Sequence, residues 1–138
     1  MRRFVNEYKT NVIIRETALK IVERLPQKDF KGEINALFYF VQNRIRYVRD
    51  VNGVETVQSP LKTLEYSQGD CDDKSVLLAT MLESLGHPTR FHAMGFRPRH
   101  ISHVLLEVKL KNKWIALDTT EPNGIGWSPP GVKTSIYR

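Results

Sequence analysis

Gly69-Asp70-Cys71-Asp72-Asp73-Lys74-Ser75-Val76-Leu77-Leu78-Ala79-Thr80-Met81-Leu82-Glu83-Ser84-Leu85-Gly86 is the stretch on which the fold turns. From about Cys71 to Leu85 it reads as a helix. Val76, Leu77, Leu78, Ala79, Met81, Leu82 and Leu85 make that helix apolar on most sides. Such a helix is buried in the middle of a domain. Gly86 is a good C-terminal stop, with Pro88 just beyond.

Beyond Gly86 the apolar period changes from that of a helix to that of a strand. Thr89 to Phe96 can form a strand. Ser102 to Leu110 alternates strongly, with Val104, Leu106, Val108 and Leu110 pointing one way. Lys111-Asn112-Lys113 reads as a turn, and Trp114 to Thr119 as a second strand of a hairpin. The tail from Glu121 carries Pro122, Gly124, Gly126, Pro129, Pro130 and Gly131. It is expected to wrap irregularly, with a short strand at Val132 to Tyr137.

Before Gly69 the periodicity is helical. Ile14, Ala18, Ile21 and Leu25 share one face, and Pro26 ends that helix. Ile34, Leu37, Phe38, Val41, Ile45 and Val48 form a second stripe, running through Tyr47-Val48. Asp50 to Ser59 reads as a loop, with Asn52-Gly53 as a turn signal. Leu61 to Glu65 reads as a short helix after Ser59-Pro60. Helices first and an antiparallel sheet second make an α+β domain, with the N-terminal helices and a central buried helix packed on the sheet.

The chain has 138 residues, 41% hydrophobic and 26% charged. Those values fit one globular domain, residues 1–138, with a real core. No stretch approaches the ~18 apolar residues of a membrane span. Met1-Arg2-Arg3-Phe4 is basic but no apolar run follows it, so no signal peptide is read. The net charge of +6 raises the question of nucleic acid. The basic residues, among them Lys111, Lys113, Arg97 and Arg99, are scattered, which favours a solvated surface. There is one Cys, so no internal disulfide and no cysteine-based zinc site can form. A cytoplasmic, reducing setting is the simplest expectation.

A lone Cys is ordinarily a buried small hydrophobe. The position of Cys71 argues otherwise. Gly69 permits a tight turn, and Cys71 falls in the first turn of the buried helix. Free N–H groups and the helix dipole favour an anion there, and the thiolate is the reactive form. Asp72 and Asp73 suit a helix N-terminus but oppose a thiolate, so a cation must compensate. A protonated His would serve.

Four histidines are available. His87 lies in the turn after the helix and is expected to be exposed. His92 sits inside a strand and is expected to pack there. His100 follows Arg97-Pro98-Arg99 in a loop. His103 opens the alternating strand on the face opposite Val104, Leu106 and Val108. With a two-residue turn at Lys111-Asn112, Leu110 pairs with Lys113 and Leu105 faces Asp118. His103 and Asp118 are then diagonal neighbours on one face, about 7–8 Å apart between backbones. A turn at Asn112-Lys113 keeps the face and separates the pair. A three-residue loop flips Asp118 away unless a bulge restores it. Asp70, Asp72 and Asp73 lack the spacing and Gly of a calcium loop. They are expected to cap the helix or to pair with Arg90, and no metal or cofactor is expected. Trp114 and Trp127 suit either a substrate cleft or ordinary packing.

Gly69-Asp70-Cys71-Asp72-Asp73, then Leu85-Gly86-His87-Pro88-Thr89-Arg90, Ser102-His103-Val104-Leu105-Leu106-Glu107-Val108 and Trp114-Ile115-Ala116-Leu117-Asp118-Thr119-Thr120 resemble the core of the transglutaminase-like superfamily, of bacterial type. The resemblance covers roughly residues 34–121. It implies a papain-like α+β fold, with Cys71 as nucleophile, His103 as general base and acid, and Asp118 orienting the imidazole. The N–H of Cys71 is a natural donor to the oxyanion. Val57-Gln58-Ser59-Pro60 resembles a Gln-x-Pro element of bacterial members. Gln58 is therefore the preferred side-chain donor, over Gln68; a loop residue serving local backbone is the competing reading.

Three functions follow: a thiol-dependent amidase or protease acting on a peptide or protein, a transferase that makes amide links, and a non-catalytic peptide- or protein-binding module. The presence of Cys71, His103 and Asp118 together disfavours the third. Animal-type transglutaminases carry further β-domains and calcium sites, for which this chain has no room, so hydrolysis is expected ahead of cross-linking. The substrate and the oligomeric state are not legible.

Overall fold

A computed structural model describes residues 1–49 and 57–138. The expected Asn52-Gly53 turn, with most of the loop around it, lies outside the described residues.

Among the described residues five helices precede the main sheet. They are α1 (Arg2–Tyr8), α2 (Val12–Val22), α3 (Phe30–Arg44), α4 (Pro60–Tyr66) and α5 (Cys71–Ser84). Local chemistry sets their starts. The Asn11 side chain accepts from the N–H groups of Ile13 and Ile14, that of Asp29 from Gly32, and that of Ser59 from Lys62. Each satisfies a donor that the first turn leaves free. Pro60 opens α4, where its missing N–H costs nothing.

α5 is the centre of the molecule. Every residue from Asp73 to Leu82 is buried, and α1, α2, α3, α4, β3 and β4 all pack against it. Its end is a Schellman motif: His87 N–H donates to Leu82 C=O and Gly86 N–H to Glu83 C=O. Gly86 supplies the φ of +92° that this turn needs.

Two elements differ from the sequence reading. α1 precedes the expected first helix, and it buries only Val5, too little for a periodic signal. α3 stops at Arg44, short of Val48. Arg46 N–H donates to Ser67 C=O and Val48 N–H to Gly69 C=O. These bonds form a short parallel pair, β1 (Arg46–Tyr47) with β2 (Gln68–Gly69). The pairing replaces the last helical turn and ties Tyr47 to the residues just ahead of Cys71.

The main sheet holds β3 (Thr89–Gly95), β4 (His103–Leu110), β5 (Lys113–Leu117) and β6 (Thr134–Tyr137), antiparallel in the order β5-β4-β3-β6. Leu110 pairs with Lys113 and Leu106 with Leu117. The turn is therefore the two-residue Lys111-Asn112, with φ of 51° and 64°, as a type I′ hairpin requires. Phe91, Val104, Leu106, Val108 and Leu117 join Leu77, Leu78, Met81, Leu82 and Phe38 in one core. Met94 and Leu105, on the His103 side of the ladder, are fully buried too, so that end of the sheet is covered on both faces.

Candidate active site

Asp70 and Asp73 form a capping box at the head of α5. Asp70 accepts from Asp73 N–H at 2.9 Å, and Asp73 accepts from Asp70 N–H at 3.1 Å. Asp73 also takes the N–H of Gln58 at 2.7 Å. Burial, with the nearby Asp70 charge, pushes the Asp73 carboxyl up to about 6 against those backbone bonds. Two of the three acids flanking Cys71 are thus absorbed by the helix start. Asp72 is placed differently, with Oδ1 3.8 Å from Cys71 Sγ. Of the two roles expected for these acids, capping or pairing with Arg90, Asp70 and Asp73 take the first. Arg90 donates to Glu107 at 2.6 Å and lies over the rings of Trp114 and Tyr137.

Cys71 is the first residue of α5 and is half-buried against the core. His103 is the first residue of β4. Its Nε2 lies 2.8 Å from Asp118 Oδ2, one residue past β5. Continuing the hairpin register places Leu105 opposite Asp118, which makes His103 its diagonal neighbour. The other oxygen of Asp118 accepts from the N–H and hydroxyl of Thr120, at 3.0 and 2.7 Å. Asp118 is only 2% exposed. Burial alone would raise its carboxyl; the hydrogen bonds from His103 and Thr120 outweigh that and hold it below the ordinary value.

His103 shows the opposite balance. Burial disfavours the imidazolium, but hydrogen bonds to Asp118 and to Cys71, with their charges, carry its pKa up to about 10. Nε2 is committed to Asp118, so Nδ1 is the ring nitrogen left for the thiol. His103 and Asp118 therefore meet directly, and the charge of Cys71 acts on the same ring.

Gln58 lies at the head of α5, its N–H on Asp73. Its side-chain amide donates to Thr63 Oγ1 and to Gln68 C=O, both at 3.1 Å, so both amide hydrogens are used. It lines a cleft of about 700 Å³ with Gly69, Asp70, Lys62 and Tyr66. This arrangement braces the turn between α4 and β2.

The other histidines leave the site to His103. His87 is buried, not exposed; its ring meets Glu33 at 2.8 Å. The Schellman turn draws it inward over Phe30. His92 packs as expected, stacked on Tyr137 and bonded to Ser135 at 2.9 Å. His100 is exposed. Trp114 lies at the surface beneath Arg90, while Trp127 is half-buried.

Two residues were not singled out in the sequence. The Tyr47 phenol is raised by partial burial and then by the charge of Cys71; no motif marks it, since β1 exists only through its pairing with β2. Lys74, three residues beyond Cys71, is 2% exposed. Its ammonium donates to Gln42 C=O in the last turn of α3 at 3.5 Å, where the helix dipole favours a cation. Burial lowers its pKa to about 8, opposed by the charge of Asp118. Lys74 stands between Asp73 and Ser75, ahead of the apolar run that begins at Val76, so no local pattern marks it as buried. Tyr47, Lys74, Gln42, Thr119 and Thr120 line a second cleft, of about 500 Å³.

Among the described residues no group of three His, Cys, Asp or Glu is arranged to hold a metal ion. No helix among them is long and apolar enough to cross a membrane.

No curated protein matches the chain. Solved structures share its fold. A candidate cysteine protease from Cytophaga hutchinsonii superposes with a TM-score of 0.66 at 20% identity, over 90% of this chain and 44% of that one. A candidate protease from Parabacteroides distasonis gives 0.68 at 14% identity, over 87% of this chain and 25% of that one. Calcium-bound LapG of Legionella pneumophila gives 0.68 at 20% identity, over 98% and 81%. This chain thus spans less than half the length of the first two proteins. The sequence model described as the transglutaminase-like superfamily matches residues 16–119, a span that runs from within α2 to the residue after Asp118. By that match, and by the helix-then-sheet frame holding Cys71, His103 and Asp118, the chain belongs to the transglutaminase-like superfamily.

Proposed function

We propose that this protein is a thiol-dependent hydrolase of amide or peptide bonds, with Cys71, His103 and Asp118 as its catalytic groups. The observation that carries the reading is the 2.8 Å contact of the His103 ring with the buried Asp118 carboxylate, at a ring that also feels Cys71 at the head of α5. A packing cysteine has no use for an imidazolium held by a buried carboxylate.

The reaction follows from that arrangement. The Cys71 sulfur attacks the amide carbonyl carbon, forming a C–S bond and an oxyanion. The N–H of Cys71, free at the helix start, donates to that oxygen. As the tetrahedral species collapses, the C–N bond breaks and His103 gives its proton to the leaving amine. A thioester remains. Water attacks it while His103 takes the proton, and the C–S bond breaks to release the acid. The thiolate and imidazolium are then restored. Asp118 keeps the ring oriented in both steps. A second oxyanion donor from Gln58 requires its amide to release Thr63 or Gln68. In that case Gln58→Ala lowers kcat by about 10²–10³-fold.

The experiment is covalent trapping with an amide-mimicking electrophile library, read by intact mass on wild type and Cys71→Ala. One adduct per chain is expected, lost in Cys71→Ala and slowed in His103→Ala. Equal labelling of wild type and Cys71→Ala would sink the reading. Adding a primary amine to the turnover assay separates hydrolysis from transfer: hydrolysis yields the free acid, while transfer yields the new amide.

A further inference from the structure

The turn between β3 and β4 carries Phe96-Arg97-Pro98-Arg99-His100-Ile101-Ser102, every residue of it exposed. In sequence its charges look isolated. The fold adds a further cation, because β6 returns along β3 and brings Lys133 beside it: Lys133 N–H donates to Gly95 C=O at 2.8 Å. No acidic residue occurs in 91–106 or in 122–138. Among the described residues, Arg97, Arg99 and Lys133 take part in none of the ion pairs.

The backbone of this turn is nevertheless firmly held. Arg97 and His100 bridge each other. Thr134 Oγ1 accepts from Arg99 N–H at 3.0 Å and donates to Arg97 C=O at 3.1 Å. Ser102 N–H donates to Met94 C=O at 2.9 Å. Gly95 lets the strands cross, since a Cβ there would lie 1.3 Å from the His100 carbonyl oxygen. The turn is thus preorganised, while its charged side chains have no internal task. The apolar Phe96 and Ile101 flank those charges, 39% and 38% exposed. The chain enters His103 directly from Ser102.

We infer that this cationic turn, with Lys133, is a docking site for an acidic segment of the peptide or protein substrate, beside the reacting bond. The inference rests on the proposed hydrolase reading and adds the substrate class. Carboxylate side chains meet the arginines, and interspersed apolar residues meet Phe96 and Ile101. The patch is short, three cations on one turn and just ahead of β6, and the rings of His92 and Tyr137 are already stacked on one another, with Arg90 over Tyr137 and Trp114. That favours a peptide over a nucleic-acid strand, which needs a longer basic track with stacking platforms. Preorganisation limits the ordering cost of binding.

The test separates docking from chemistry by using the full chain as Cys71→Ala, which binds without turnover. Fluorescence anisotropy compares a labelled Glu/Leu-rich peptide with its Gln/Leu match. The acidic peptide is expected to bind about tenfold more tightly, from a few exposed charge pairs, and the advantage should shrink as salt is raised. Arg97→Gln/Arg99→Gln/Lys133→Gln should remove the preference while keeping the melting temperature of its parent. Equal binding of the two peptides overturns the inference, as does an unchanged preference in the triple variant. Tighter binding of oligo-dT or of phosphatidylserine vesicles than of the acidic peptide also overturns it. Cys71 trapping is read separately, so failure of docking leaves the hydrolase reading standing, and the reverse holds as well.

Discussion

His103 Nε2 and Asp118 Oδ2 are 2.8 Å apart although their residues are 15 positions apart in the chain and lie at the outer ends of a hairpin. The contact needs a two-residue turn at Lys111-Asn112. One extra residue there would send Asp118 to the other face.

Asp118→Asn keeps the size of the side chain and removes its charge. Its nitrogen can no longer hold the imidazolium, and the His103 pKa should fall toward the ordinary value. Under the hydrolase reading kcat/KM should drop by about 10²–10⁴-fold with little change in melting temperature. Steady-state kinetics on an amide substrate matching the trapped electrophile would measure it; a loss below threefold would remove Asp118 from the reaction.

The His103 pKa, raised from 6.5 to about 10, also has a stability consequence. Between those values the folded state holds a proton that the unfolded chain has lost. The stabilisation is therefore complete below pH 6.5 and is lost as pH rises toward 10. Urea unfolding of wild type and His103→Gln should show an advantage for wild type that is largest at pH 6 and shrinks at alkaline pH. Parallel pH curves would mean that the imidazolium is not held as described.

Lys74 titrates with the opposite sign. Its folded value is about 8 against 10.5 for the free side chain, so the unfolded chain binds more protons in that interval. Stability of wild type relative to Lys74→Met should rise between pH 8 and 10.5, as burying the neutral amine becomes cheaper. The same unfolding series measures it, and a difference independent of pH over that range counts against a buried, charged Lys74.

Gly95 and Gly86 should respond differently to Ala. At Gly95 the new methyl group collides with backbone, and the cost should reach at least about 1–3 kcal/mol. At Gly86 there is open space, but φ is +92°, so the cost is conformational, about 1–2 kcal/mol. Chemical denaturation of the two variants gives the comparison. Gly95→Ala should also disturb the turn ahead of His103, and Gly86→Ala should not.

The buried helix from Cys71, its stop at Gly86, the alternating strand from His103 and the hairpin turn were all legible, because each is written in local periodicity and turn chemistry. His103 and Asp118 could be put on one face because turn length and strand register are short-range properties, whereas Cys71 was joined to them by the resemblance to the transglutaminase-like core. The limits of that logic show at particular residues. Ile45 and Val48 continue a helical stripe, yet Arg46 and Tyr47 pair with β2 because backbone partners there outcompete one more turn. His87 looked exposed after a Gly, but the Schellman turn buries it on Glu33. Arg90 was one of two partners offered to the acids near Cys71, but the β3–β4 register sets it opposite Glu107.

The sequence by itself determined the order of elements, the central helix and the face shared by His103 and Asp118, because side-chain period and turn length are fixed by covalent geometry. Only the tertiary structure decided that Asp73 also takes the N–H of Gln58, that Lys74 is a buried cation near Asp118, and that Lys133 joins Arg97 and Arg99. These depend on contacts between segments distant in the chain, whose free energies come from burial and pairing that no local pattern encodes.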